Sequence, residues 1–535
     1  MAGASQATLL VELATGAELF RTPDGEAFAT ISTDGHRETW PLRARAVRRW
    51  LARCYFDAHT ATPNAQAIQD AIGVLEGRAL FGDQEHRVHV RTAEHQGAIY
   101  LDLADRHWRA VEVTASGARV VDPPVRFRRA RGMLSLPEPA PGGSIDVLKS
   151  FGNFASEEDW ILVVAWLVAA LRPAGPYPVL ALHGEQGSAK STETRILRQT
   201  VDPNKAPLRA APKTGHDLII AATNGWVVAL DNLSHLQGWL SDGICRLATG
   251  GGFATRELYS DAEEAIFEAQ RPVILNGIEE LATRGDLQDR SIVLELPRIR
   301  RHRTEETFWA EFERAHPQIL GALLDVVSAA MANMETTELT DLPRMADFAA
   351  WVMAASPAMG WDPGDFLDAY DENREAANEI TLEASPLVGP LRVLVASEEF
   401  EGTATELLVA LNDQVNDERI QKSREWPKSA SALSGALRRL APNLRRADPG
   451  IEINFDREAH TGRRVIWVGS PEQARKSASP ASPASPASPT HAQGDGGDGG
   501  DGDFRTQSDG HDQGGAEDLR RLGIDPLPYQ PGRPE

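Results

Sequence analysis

Hydrophobic residues change their spacing several times along this chain, and each change marks an element. The run WILVVAWLVAAL over residues 160–171 is apolar on every side, which predicts a helix buried all round. It is too short to span a bilayer, and the acidic stretch SEED precedes it. Between 142 and 300, helical spacing alternates with four short β-rich runs: YPVLALHG, GWVVALDN, RPVILNGI and RSIVLELP. Strands separated by helices predict a parallel α/β sheet. Upstream, AIQDAIGVLEGRALF has helical spacing. The stretch HRVHVRTAEHQGAIYLDLADRHWRAVEVTASGARVV then alternates apolar and polar residues between turn signals, as antiparallel strands do. Residues 1–140 therefore read as an α+β domain, 141–305 as an α/β core and 306–400 as a helical region.

The pattern changes again near residue 401. TATELLVALNDQV places Leu407, Leu408 and Leu411 on one helix face. SASALSGALRRLAPNLRRA opens with a serine cap and places Leu433, Leu437 and Leu440 together. IEINFDREAHTGRRVIWVGS alternates as two strands around a turn. Helix, helix and hairpin over 401–470 outline a winged helix. Arg438, Arg439, Arg445, Arg463 and Arg464 fall on its second helix and hairpin, where such domains touch DNA phosphates; a winged helix used only for packing is the alternative. Beyond, SPASPASPT and GDGGDGGDGD cannot bury enough apolar surface to offset chain entropy, so residues 471–535 are expected to form a disordered acidic tail.

Composition narrows the class. The 535 residues are 41% hydrophobic and 25% charged, ordinary values for a globular protein of several domains. Two cysteines, Cys54 and Cys245, cannot build a disulfide framework, and no Cys/His cluster has zinc spacing; a cytoplasmic protein without a membrane partner is expected. The first residues carry no basic stretch before an apolar core, so no leader peptide is expected. A net charge of −22 excludes a chain that coats nucleic acid with its whole surface, but leaves room for a local basic patch. Asp102 and Asp105 in YLDLAD fit a strand end and turn better than a metal pair, because no accompanying acidic or histidine motif is present. Trp40, Trp50 and Trp108 form no usable constellation.

The candidate chemistry starts at HGEQGSAKST, residues 183–192. It is close to G-x-x-x-x-G-K-[ST], with Ala189 where the second glycine belongs. An apolar run precedes it, and KSTETRILRQTV, with helical spacing, follows it. Gly184, Glu185, Gln186, Gly187, Ser188, Ala189, Lys190, Ser191 and Thr192 are therefore the expected cradle for ATP phosphates, with Lys190 reaching the terminal ones and Ser191 on Mg²⁺. Ala189 is tolerable if glycine is favoured there only for close packing, and costs about 1 kcal/mol if the position needs a left-handed backbone. Asp231, ending WVVALD, is the expected second Mg²⁺ ligand, but Asn232 follows where a glutamate commonly orients water. Asn276 ends a third strand, where it would sense phosphate or simply cap a turn. Arg290 precedes a fourth strand, as a finger supplied to a neighbouring subunit or as a surface ion pair with Asp286 or Asp289.

In this order GEQGSAKS, ALDN, RLATGGGFATRELY, ILNG and DRSIVLELP resemble the ATPase core of superfamily 3 helicases of the phage and poxvirus primase–helicase type, over roughly residues 145–300. The resemblance implies an AAA+-like P-loop fold, a hexameric ring, ATP and Mg²⁺ as cofactors, and single-stranded or forked DNA as partner, with a separate primase or replication protein as a further partner. Lys190, Ser191, Asp231, Asn276 and Arg290 then take the nucleotide roles, and Arg256 lies on the segment leading to the DNA-facing hairpin. Three departures, Ala189, Asn232 and Gly252 in place of an aspartate, bear on hydrolysis and unwinding rather than on nucleotide binding. Besides the motor, two further readings follow: a nucleotide-dependent DNA-binding switch, and a scaffold with a vestigial loop.

Overall fold

The computed structural model describes residues 4–256, 264–267, 269–278, 281–282, 284–299, 303–337, 343–383, 385–415, 417–423, 426–457 and 462–477. The N-terminal part joins two pieces. Helices Gln6–Leu13, Arg45–His59 and Ala65–Phe81 pack with the antiparallel strands Glu18–Arg21, Ala27–Thr33 and His36–Pro41 around Leu10, Val47, Leu51, Ile72 and Leu75. A four-stranded meander follows: Thr92–His95, Ala98–Asp102, Ala110–Thr114 and Gly117–Val121, paired in chain order. Asp102 ends its strand fully buried and accepts both from Arg129 and from the Ala104 amide. Asp105 holds the next turn through His107 N, Arg109 N and Arg109 Nε. Both carboxylates are thus taken up by strand-end and turn structure.

The core sheet has four parallel strands in the spatial order Val228–Leu233, Val273–Gly277, Val179–His183, Ser291–Glu295. The first strand of the core in sequence, Val179–His183, therefore sits inside the sheet, separated from the second by the third. Such near-continuous apolar strands need cover on both faces. The helix Glu157–Ala170 supplies one cover: Ser156 accepts from the Asp159 amide at its start, and every residue from Trp160 to Ala170 is buried. The edge strand Ser291–Glu295 is closed by Asn373, whose side chain both accepts from Val293 N and donates to Val293 O. Helices Glu305–Asn333, Ala346–Met359, Pro363–Glu383 and Val388–Ser397 dominate the region beyond. Among the described residues Glu305–Asn333 is the one single helix long and apolar enough to cross a membrane, and most of its apolar stretch is buried in the core.

One apolar cluster runs without a break from Val90 of the N-terminal part through Leu171 to Tyr370. A buried polar staple crosses the same seam. Arg91, fully buried, donates from Nε to Asp202 at 3.0 Å and through its other nitrogens to the Asp102 and Leu134 carbonyls. The second Asp202 oxygen accepts from the Trp226 and Val227 amides and lies 3.7 Å from Arg198.

The C-terminal unit runs helix Val388–Ser397, strand Phe400–Gly402, helices Ala404–Gln414, Glu418–Lys422 and Ala430–Arg446, then strands Glu452–Arg457 and Arg464–Gly469. A capping box at Thr403 and Glu406 starts its second helix, and Ser429 caps the long one. The expected hairpin gains a third strand, since Phe400–Gly402 pairs with Arg464–Gly469. Residue 471 does not begin the tail as expected. Pro471–Ser477 is a helix, started by reciprocal bonds between Ser470 and Gln473. The repeats from 478 onwards lie outside the described residues.

Candidate functional site

All the carboxyl ends of the parallel strands point to one edge, where open α/β sheets hold ligands. The loop after Val179–His183 is Gly184–Ala189, and the helix Lys190–Val201 opens directly from it. Gly184 has φ 141°, and a Cβ there would stand 2.6 Å from the Leu296 carbonyl, so only glycine fits. Glu185, Gln186 and Gly187 are exposed at the turn, Gly187 with φ 89°. Ser188 is buried, and Thr192 is half-buried in the first helical turn. Ala189 has φ 59° and ψ 28°. This decides the question its sequence leaves open: the position is left-handed, and alanine holds it at a cost of about 1 kcal/mol.

Lys190 folds back over the loop. Its Nζ donates to the Gly184 carbonyl at 2.7 Å, the Glu185 carbonyl at 2.9 Å and Ser188 Oγ at 3.3 Å, and partial burial lowers its pKa. Ser191 Oγ donates to Asp231 Oδ1 at 2.7 Å, so the loop helix and a second strand meet at one point. Asp231 and Asn232 stand where the pairing register with Val273–Gly277 shifts, and Asn232 has φ 56°. Asn276 explains that irregularity. It is buried, its Oδ1 accepts from Asn232 N at 2.8 Å, and its Nδ2 donates to Thr194 Oγ1 at 2.8 Å. Asn276 thereby ties the end of the Asp231 strand to the loop helix.

Arg290 lies away from this cluster, with Nη1 donating to the Asp286 carbonyl at 2.7 Å and to its carboxylate at 3.2 Å. The surface-pair alternative is thus realised within this chain. Arg256 ends the strand Phe253–Arg256, paired with Glu264–Phe267; its side chain lies outside the described residues. In the C-terminal unit Arg438, Arg439, Arg445, Arg463 and Arg464 are all exposed. Arg445 pairs with Glu452 and Arg463 with Glu406, while Arg438 stacks 3.9 Å above the Phe455 ring.

Three residues of the site escape sequence reasoning. Asn153 donates to the Ser188 carbonyl at 2.9 Å and to the Pro297 carbonyl at 2.6 Å, pinning the loop from a distant segment. Thr194 receives Asn276 and donates to the Lys190 carbonyl. Glu193 is buried beside them; burial pushes its carboxyl up to about 8, against the Asn153 amide bond. The one available signal was a polar residue on the inward face of an amphipathic helix, as at Glu193, Thr194 and Arg198. Among the described residues no group of three His, Cys, Asp or Glu side chains gathers into a metal cage.

These features define an α/β domain with a loop-to-helix turn and a serine–carboxylate pair at the carboxyl edge of its sheet. Residues 145–375 match the family of actinomycete integrative conjugative element replication proteins, and residues 389–483 match the C-terminal domain of the RepA proteins of those elements. Over both regions the chain is similar to replication proteins of a conjugative element. The match reaches well past residue 300, where the motif resemblance stopped, and it points to this family rather than to superfamily 3 in particular. No curated protein matches the chain. Among solved structures, one described as SCCmec type IV Cch, active helicase, aligns with a TM-score of 0.44 and 14% identity, covering 86% of this chain and 94% of that one. The apo C-terminal region of NrS-1 aligns with a TM-score of 0.38 and 12% identity, covering 88% of this chain and 100% of that one. Likeness at this level carries no argument about chemistry.

Proposed function

We propose that this chain is an ATP-dependent DNA motor of the helicase or translocase type, serving replication of a mobile element. The observation that carries the reading is the contact between Ser191 and Asp231, with Lys190 folded onto the adjoining loop. A hydroxyl at the start of a helix and a carboxylate at the end of a second strand are the paired Mg²⁺ ligands of P-loop ATPases. The loop fits the nucleotide phosphates: Gly184 admits no side chain, and Ala189 already holds the left-handed turn. Bound Mg–ATP would supply the phosphoanhydride whose hydrolysis drives movement. Lys190 would leave the loop carbonyls for phosphate oxygens, Ser191 and Asp231 would hold the metal, and the Asn276 carboxamide would keep Asp231 in place relative to Thr194.

The spatial order of the sheet, with a strand between the loop strand and the Asp231 strand, supports an AAA+-like core. In that reading subunits form a ring, and Arg290 exchanges Asp286 for the phosphate of a neighbour. The order helix, strand, two main helices and two strands supports a C-terminal winged helix whose Arg438, Arg439, Arg445, Arg463 and Arg464 meet DNA phosphates.

The test is ATP hydrolysis by the wild type and by Lys190→Ala, with and without single-stranded DNA. Loss of activity in the variant is expected; equal rates in both proteins would sink the reading. A second reading, a nucleotide-dependent DNA switch with little unwinding, is favoured by Asn232, whose exposed side chain offers no carboxylate base beside Asp231. Displacement of a strand from a forked duplex separates the two, since robust unwinding with ATP turnover removes the switch.

A further inference from the structure

Two arginine-rich stretches, RARAVRR at 43–49 and RFRRAR at 126–131, are distant in sequence and have no part in the site above. The fold brings them to one groove of about 740 Å³ between the N-terminal part and the core. Arg45, Arg49, Arg128, Arg129, Arg131 and Arg209 line it, and no carboxylate does. Two of the six are engaged: Arg129 by Asp102, and Arg128 by Glu26 at 3.6 Å. Among the described residues Arg45, Arg49, Arg131 and Arg209 have no ion-pair partner, and Arg45, Arg49 and Arg131 are exposed. A chain of net charge −22 does not collect such a groove by composition alone.

The helix Arg45–His59 breaks the usual rules at this groove. Its N-cap, Ala44, makes no side-chain hydrogen bond, and its first turn contains no acidic residue. Arg45 instead opens it, and Arg49 lies one turn on, on the same face. Cations at a helix N-terminus oppose its dipole, so this arrangement costs stability until an anion meets both the free amides and the guanidinium groups. The opposite wall is rigid. Residues 132–134 are bonded to the core through Lys205 N to Gly132 O and Leu134 N to Pro203 O, and Asp231 N donates to the Arg209 carbonyl at 2.8 Å.

We propose that this groove is a second DNA site, binding the phosphate backbone without sequence preference. The planar guanidinium fork suits phosphate oxygens, and several free arginines in one trough suit a polyanion rather than a single ion. The replication family matched by the core makes DNA the polyanion at hand. This rests on that match and on the groove, not on the nucleotide reading, so the test is made without ATP.

Full-length wild type and R45Q/R49Q/R131Q are titrated against a fluorescent 30-mer, single-stranded and duplex, at several salt concentrations. The exposed control R119Q/R303Q/R314Q, of the same charge change, runs alongside. The groove variant should bind at least about tenfold more weakly near 0.1 M salt, with a log–log salt slope shallower by about two to three. The charge-matched control should lose far less. A loss on one DNA form alone assigns the groove to that form. Unchanged affinity and slope with both forms, or an equal loss in the charge-matched control, would overturn the proposal. So would binding of polyaspartate that depends on these arginines while DNA binding does not, because the groove would then be a docking site for an acidic polypeptide.

Discussion

The arginines of the N-terminal groove and those of the C-terminal unit carry the same charge into different surroundings. In the C-terminal unit Arg445 faces Glu452, Arg463 faces Glu406, and Arg446 pairs with Asp289 of the core. The groove is lined by Arg45, Arg49, Arg131 and Arg209, and no carboxylate lines it. Pairs of exposed charges contribute little to stability, but each carboxylate reduces what its arginine offers to a phosphate. The spacing of basic residues in the C-terminal unit was enough to raise the expectation of a DNA surface there. The groove raised no such expectation, because its charge depends on which carboxylates are absent from a three-dimensional neighbourhood.

The sharpest way to test how far surroundings rather than residue type matter is at the buried end of the scale. Asp202→Asn strips Arg91 and Arg198 of their shared carboxylate while all three sites remain buried. Burial already draws the Arg198 guanidinium down to about 10. A loss of roughly 3–5 kcal/mol in urea unfolding is expected, because two buried cations are left uncompensated. R45Q/R49Q should change stability by no more than about 0.5 kcal/mol in the same assay, as free surface residues do. Equal losses would mean that the groove arginines are structural.

His316, buried against the loop helix, probes the core by pH. Burial lowers its pKa to about 4, and its ring Nε2 lies 3.1 Å from the Thr200 carbonyl. The folded state therefore binds fewer protons than the unfolded state between pH 6.5 and 4, and stability falls as pH drops through that window. The contribution lost by pH 4 is about 2–3 kcal/mol. Denaturation midpoints of the wild type and His316→Gln should converge towards pH 4; a parallel pH dependence would refute the assignment.

Ala189→Gly addresses the loop. Glycine removes about 1 kcal/mol of left-handed strain, and its freedom in the unfolded chain offsets about half of that. Calorimetry should show a small rise in Tm; a fall would mean that the Ala189 methyl group packs usefully. The smallest effect returns to the C-terminal arginines. If Arg445 meets phosphate, Glu452→Gln should raise DNA affinity about twofold to threefold, and no change would remove Arg445 from the interface.

Much of the architecture was readable before any coordinates. Apolar runs bounded by turn residues located all four core strands, period-3.6 spacing located the loop helix, and an unbroken apolar run located the buried helix beginning at Glu157. Lys190, Ser191 and Asp231 were expected close together, because a strand, loop and helix order leaves a local trace, and Ser191 does meet Asp231. Other parts left no such trace. The burial that raises the Glu193 pKa, the hold of Asn153 on the Ser188 carbonyl and the role of Asn276 as a strap to Thr194 all depend on partners far along the chain. The start of the tail was misplaced because Ser470 and Gln473 cap a further helix.

What the sequence by itself determined are the elements and their inward faces, since hydrophobic periodicity acts within a few turns of chain. Tertiary structure alone decided that position 189 is left-handed and that residues 45–49, 126–131 and 209 form one trough. The reason is physical: solvent burial is encoded locally, whereas a charge is free or spent according to what packs against it.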